Sequence, residues 1–306
     1  RSARFHWDRP AVIECDRRLT FGEAWTRGVR LANALLGGGL EPGDRIGVLE
    51  DNTLESVDLF CGAAIANLVR VPLYPRNSIE AHEHMLRHTG CRGLVVSSAH
   101  SDTGRALQAK LPELEFVVVR DSGYEDWLRG RSDTEPGIEA DPDDWFIIRH
   151  TGGTTGRAKG VGYTHKTWLD AGRDWFYAFP PVQAGDVCQH AGPISHGSGY
   201  FFAPIGLSGG VNLLLPAFAP GQVLDTMERE RVAYGFLVPA MLNQLARHPS
   251  AAERDWTALK VLQIGGAPIA DDTARVAHEV FGDCMYQGYG QTEAVPITMM
   301  GPGEWF

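Results

Sequence analysis

Short apolar runs alternate with helix-like segments along nearly all of this chain, and that alternation restricts the fold more than any other feature. Thr20 and Glu23 make a capping box ahead of a helix through Trp25, Leu31 and Leu35, closed by Gly37-Gly38-Gly39. Arg45-Ile46-Gly47-Val48-Leu49 reads as a strand, residues 54–66 as a helix and 69–71 as another strand. Ser78 caps a helix through His88, and residues 93–96 and 116–119 are strands on either side of helix-like 104–111. Further strands are expected near Val187 and over 211–215, 235–238 and 261–264. Strands apolar on both faces and separated by helices predict an α/β chain with a largely parallel sheet, or two sheets, covered by helices. A length of 306 residues allows one large domain or two. Residues 121–144, rich in Asp, Glu, Gly and Ser, read as an exposed connection with at most a short helix near 124–128. They are either a domain boundary or a long surface loop.

The loop Thr151-Gly152-Gly153-Thr154-Thr155-Gly156-Arg157-Ala158-Lys159-Gly160 follows the apolar run Trp145-Phe146-Ile147-Ile148. Glycines let backbone N–H groups approach anionic oxygens, threonine hydroxyls add neutral donors, and Lys159 adds a mobile positive charge. That composition suits phosphate. The register is wrong for a P-loop, because Arg157 and Ala158 separate Gly156 from Lys159 and Gly160 follows the lysine. No GxGxxG opens a helix after the first strand, so a dinucleotide fold is not indicated either.

Three more constellations bear on chemistry. In Tyr286-Gln287-Gly288-Tyr289-Gly290-Gln291-Thr292-Glu293, Tyr289 can stack on a purine, Thr292 can donate to a phosphate oxygen, and Glu293 can hold Mg²⁺. Gly265-Gly266-Ala267-Pro268 follows a strand, and small residues at a strand's carboxyl end admit a flat ring or a carboxylate. Pro193-Ile194-Ser195-His196-Gly197-Ser198-Gly199 sets a histidine among glycines near Phe201 and Phe202, as an apolar pocket or an acid–base group would need. Each also has a plain reading as a glycine turn or a hydrogen-bonded histidine. The elbow Gly-x-Ser-x-Gly is absent, so a serine hydrolase is not indicated. His82-Glu83-His84 with His88 fails the zincin spacing, and a solvated helix face accounts for His84 and His88.

The net charge of −10 argues against a nucleic-acid surface. Five dispersed cysteines without a CxxC pair fit buried thiols in a reducing compartment, so a cytoplasmic location is expected. No apolar run reaches the length of a membrane span.

In this order and spacing, the motifs resemble the adenylate-forming (AMP-binding) superfamily of acyl-CoA synthetases, luciferases and peptide-synthetase adenylation domains. The resemblance runs from Leu19-Thr20-Phe21-Gly22-Glu23 through the Gly/Thr/Lys loop and Pro-x-x-His-x-x-Gly to Gly-Tyr-Gly-Gln-Thr-Glu. It implies two packed, helix-flanked sheets and activation of a carboxylic acid by ATP and Mg²⁺, with coenzyme A, or a carrier protein, taking the acyl group. By resemblance, Thr151, Gly152, Gly153, Thr154, Thr155, Gly156 and Lys159 handle the phosphates. Gly265, Gly266, Ala267, Pro268, Tyr289 and Gly290 border the nucleotide. Thr292, Glu293 and Lys159 carry catalysis, with Glu293 on the metal, while His196 and Gly288 face the acyl group.

The resemblance also implies discontinuous subdomains, about 46–190 and 1–45 plus 191–306. The family's ribose aspartate, hinge and lysine-bearing C-terminal domain would lie beyond Phe306, so the expectation is that residues 1–306 alone bind nucleotide weakly and form little adenylate. A non-catalytic nucleotide-binding protein is the alternative. Gly153 stands where serine is usual and Ala158 where proline precedes the lysine. No acid occurs in His190-Ala191-Gly192-Pro193-Ile194-Ser195-His196, where amino-acid-activating relatives place an aspartate, so a fatty or aromatic acid is favoured.

Overall fold

The computed structural model describes residues 2–152 and 157–305. Its contacts divide the chain into two compact units, Phe21–Leu169 and Arg1–Thr20 with Asp170–Phe306. The chain opens with helix α1 (Ser2–His6) and the hairpin β1 (Pro10–Glu14) and β2 (Arg17–Thr20), which belong to the second of these.

The Phe21–Leu169 unit then runs α2 (Phe21–Gly37), β3 (Arg45–Leu49), α3 (Ser56–Ile65), β4 (Val69–Leu73), α4 (Ile79–Thr89), β5 (Cys91–Ser97), α5 (Ser101–Lys110), β6 (Phe116–Arg120), α6 (Tyr124–Arg129), β7 (Trp145–His150) and β8 (Gly160–Thr164). Its six strands lie in the order β6-β5-β3-β4-β7-β8, parallel except for the β7–β8 pair. The sheet is covered on both faces. Leu31, Ala32 and Leu35 of α2 and Leu59 and Ala63 of α3 pack over Ile46 and Val48. On the other face Met85, Leu86 and Leu107 cover Leu49, Val71, Leu94 and Val96. Burying each such Leu contributes roughly 1.5–3 kcal/mol. The unit starts at Phe21, ahead of residue 46, because α2 packs along α3. Ser78 caps α4, its Oγ accepting from the Ala81 N–H at 3.3 Å, and Gly90 ends the helix in the left-handed region. Beyond α6, the acidic stretch is a surface loop laid against α2. Asn33 Nδ2 donates to the Ser132 and Thr134 carbonyls at 2.9 Å, and the Trp25 indole donates to Glu135 at 3.1 Å.

The other unit continues with the last part of α7 (His165–Tyr177), then β9 (Val187–His190), α8 (Gly199–Leu207), β10 (Val211–Leu214), α9 (Pro220–Arg229), β11 (Val232–Leu237), α10 (Pro239–Ala246), β12 (Val261–Ile264), α11 (Asp271–Phe281), β13 (Met285–Gln291) and β14 (Ala294–Met300). Eight strands lie in the order β14-β13-β12-β11-β9-β10-β1-β2, parallel in the centre and closed by an antiparallel hairpin at each edge. Val223, Leu224, Leu242, Leu245 and Ala277 form the core on one face with Leu213, Leu237 and Leu262. Trp175, Phe176, Phe179, Phe201 and Phe236 form a continuous aromatic cluster. The α/β architecture of two largely parallel, helix-flanked sheets is therefore the observed one. No described helix is long and apolar enough to cross a membrane.

Candidate functional site

The Gly/Thr/Lys loop connects β7 to β8. The antiparallel pairing ends at His150 opposite Gly160, and the Thr151 N–H then donates to the Lys159 carbonyl at 2.9 Å. The Lys159 N–H donates to Thr151 Oγ1 at 3.3 Å, so both ends of the loop are tied together. Gly153, Thr154, Thr155 and Gly156 lie outside the described residues. Gly152 and Lys159 are exposed, and the Lys159 ammonium has no carboxylate partner among the described residues. A tethered loop with an uncommitted cation is suited to a polyanion.

Histidines flank this loop. His84 Nε2 lies 3.2 Å from the Ala158 carbonyl, and the His84 and His88 rings stack at 5.5 Å. Buried His150 has neither ring nitrogen hydrogen-bonded among the described residues, and burial, then His88 and His84, lowers its pKa to about 4.

The other predicted residues lie on the eight-stranded sheet's unit. Buried Gly265 follows β12, and Gly266 turns the chain at φ 83°, a conformation glycine adopts without strain; Ala267 and Pro268 are exposed. Gly288, Tyr289 and Gly290 are part of β13. The Tyr289 side chain is 64% exposed, leaving its ring face free for stacking. Gln291 pairs with Ala294, so Thr292 and Glu293 form the two-residue turn between β13 and β14. Glu293 projects there, exposed and without a partner among the described residues. No group of three or more ligating side chains occurs among the described residues. A single free carboxylate suits Mg²⁺, which is usually held by one or two carboxylates together with phosphate oxygens and water.

The Pro193–Gly199 turn is anchored from below by His190. Its Nε2 lies 2.8 Å from Asn212 Oδ1 and its Nδ1 lies 2.8 Å from Ser198 Oγ. Asn212 Nδ2 donates to the Phe202 carbonyl, which identifies Oδ1 as the acceptor and the Nε2–H form of neutral His190 as the donor. Burial lowers the His190 pKa to about 4. The folded state thus keeps His190 and His150 neutral, whereas the unfolded chain protonates them near the ordinary value of about 6.5. Their stabilisation is complete above that value and is lost as pH falls toward 4. We expect the His190→Asn variant to take up about one proton fewer on unfolding in this window, amounting to roughly 3 kcal/mol less acid destabilisation. Melting temperatures of both proteins between pH 4 and 7 would check it, and parallel curves would refute it.

Exposed His196 sits on this turn, and the Phe236 ring fills the space where a Gly197 side chain would stand. Phe236 also borders Gly265: a Cβ there would lie 3.3 Å from the ring and 3.3 Å from Gln263 Nε2. A Cβ on Gly288 would collide with the same amide nitrogen and come within 2.9 Å of the Trp175 ring. The two glycines therefore expose a strip of backbone bounded by Phe236, Trp175 and Gln263. Sequence reading missed these three. A lone Gln in the four-residue strand Val-Leu-Gln-Ile was the one available signal.

Residues 1–305 match the family of AMP-binding enzymes. The chain belongs to this family. It is 33% identical over 300 residues to a feruloyl-CoA synthase from an Amycolatopsis species, covering 97% of this chain and 59% of that relative. A fatty acid–[acyl-carrier-protein] ligase, ScoC, from Streptomyces coeruleorubidus is 29% identical, with 93% of this chain and 55% of the relative covered. The chain thus spans between half and three fifths of the length of these relatives. Among solved structures, the inhibitor-bound N-terminal domain of FACL13 from Mycobacterium tuberculosis superimposes with a TM-score of 0.88 at 26% identity, over 95% of this chain and 74% of that one.

Proposed function

We propose that this protein activates a carboxylic acid, fatty or aromatic, with ATP and Mg²⁺ and passes the acyl group to coenzyme A. The observation that carries this reading is the hairpin tip of the eight-stranded sheet's unit, where Glu293, without a partner among the described residues, follows an exposed aromatic ring; the exposed Lys159 on the tethered loop of the other unit supports it separately. In the first step a carboxylate oxygen attacks the α-phosphorus and pyrophosphate leaves. In the second, a thiolate attacks the acyl carbon and AMP leaves. Lys159 and the loop neutralise the departing pyrophosphate, Thr292 donates to the α-phosphate, and Tyr289 stacks on adenine. Mg²⁺, held by Glu293, would neutralise phosphate charge. Gly265 to Pro268 border the nucleotide and the acid, and His196 and Gly288 face the acyl group.

The name of the feruloyl-CoA synthase supports coenzyme A as acceptor and an aromatic acid as substrate. ScoC supports a second reading, in which an acyl carrier protein takes the acyl group.

The test is acid-dependent ATP–pyrophosphate exchange by the full-length protein, not residues 1–306 alone, against panels of fatty, aryl and amino acids. Exchange with fatty or aryl acids is expected. Exchange with amino acids alone would reject the proposal.

A further inference from the structure

Among the described residues, the buried Asp, Glu and Arg side chains are Glu50, Asp58, Arg70, Arg120 and Arg149, all in the Phe21–Leu169 unit. Both carboxylates are committed. Glu50 pairs with Arg120, and Asp58 accepts from Arg27 at 2.7 and 2.8 Å. Arg27 brings a second carboxylate of its own in Glu125, so one positive charge stays unbalanced. Arg70 is the cation left over. It is 1% exposed, and no carboxylate among the described residues lies within ion-pair distance of it. Its Nε and Nη1 have no hydrogen-bond partner. The guanidinium lies over the Phe60 ring, 3.5 Å from the centroid, and a ring face attracts a cation without supplying an acceptor atom for each N–H.

The sheet register places a second cation nearby. Arg70 on β4 is paired with Ile46 of β3 and Ile147 of β7, so it faces the side covered by α2 and α3. Arg149, two positions beyond Ile147, shares that face. Burial and then repulsion by Arg149 lower the Arg70 pKa, to about 10, against the pull of Glu50, so Arg70 is charged at neutral pH. The neighbouring Cys61 supplies no counter-charge, because burial pushes its thiol up to about 12. A dry, charged guanidinium without a counter-charge is strongly unfavourable, and a Met would fill the space without that cost.

We propose that this face of the six-stranded sheet binds one small monovalent anion, of the size and charge of chloride, against the Arg70 guanidinium. The anion would accept from the unfilled donors of Arg70 and cancel the single unbalanced charge; a divalent anion would overshoot it. Arg149 stands two residues ahead of Thr151, so the ion would also brace β7 just before the Gly/Thr/Lys loop. The inference goes beyond the acid-activation reading and does not depend on it.

The test is the melting temperature of the full-length protein as sodium chloride replaces sodium gluconate at constant ionic strength. Chloride is expected to raise it saturably by about 4–8 °C, as a ligand bound only by the folded state does. In Arg70→Met that rise disappears. A parent protein that melts alike in both salts overturns the proposal. A rise that survives in Arg70→Met does so too, since it is a general salt effect. Crystals of the parent soaked in bromide supply the second measurement, with an anomalous peak expected against the Arg70 guanidinium. A map without that peak overturns the proposal, and a peak without chloride-dependent melting marks an adventitious ion only and overturns it as well. If Arg70→Met does not fold, the parent's melting and the bromide map decide together.

Discussion

Replacing Glu293 by glutamine is expected to lower acid-dependent pyrophosphate exchange by about 10²- to 10³-fold, the usual cost of losing one group that stabilises transition-state charge. The fold should be unaffected. Glu293 is exposed, lies in a two-residue turn and has no partner among the described residues, so glutamine removes its charge and disturbs no protein contact. On the proposed reading the carboxylate would matter because an amide binds Mg²⁺ far less well, and the metal, held there, would neutralise phosphate charge. Raised Mg²⁺ should therefore recover part of the lost activity. Wild-type exchange by E293Q at every Mg²⁺ concentration would remove Glu293 from the metal site.

Much of the fold was legible because the strands are buried on both faces. Ile46-Gly47-Val48-Leu49 and Val261–Ile264 are apolar runs of strand length, and Ser78 announces its helix with a cap that the structure contains. The edges were less legible. β8, Gly-Val-Gly-Tyr-Thr, is a mostly polar and glycine-rich edge strand with no apolar run. The β13–β14 hairpin is mostly exposed, so the segment holding Tyr289 and Glu293 read as a glycine turn and not as two paired strands. Individual motif residues could be read from their types and order, since donor and carboxylate chemistry is local. The strip of backbone bounded by Phe236, Trp175 and Gln263 could not. Trp175, Phe236, Gln263 and Gly288 come from four separate elements, and the strip becomes evident only when all four are packed. The acidic stretch that read equally as boundary or loop was decided by Asn33, which takes two carbonyls from it.

A second large effect is expected at Asp58, which no motif marks. It is fully buried on α3, where Oδ1 accepts from Arg27 Nε at 2.7 Å and Oδ2 from Arg27 Nη2 at 2.8 Å. The Tyr124 hydroxyl donates to Oδ2 at 2.9 Å, so a single carboxylate joins α2, α3 and α6. Burial pushes the Asp58 pKa up while Arg27 and Tyr124 pull it down. Asp58→Ala should cost about 3–5 kcal/mol in urea unfolding, because it strands a largely buried guanidinium and a buried phenol. Glu125 also pairs with Arg27, at 2.7 Å, but its side chain is 45% exposed, so Glu125→Ala should cost less than about 1 kcal/mol. The double variant Arg27→Met with Asp58→Leu should recover most of the loss, since removing both charges leaves neither uncompensated. If Asp58→Ala unfolds within about 1 kcal/mol of the parent, water reaches Arg27 and the joint is not a dry one. The expected contrast with Glu293 is a matter of surroundings. A carboxylate that accepts three hydrogen bonds inside the protein holds the fold, and one that accepts none among the described residues is the one proposed to hold a metal.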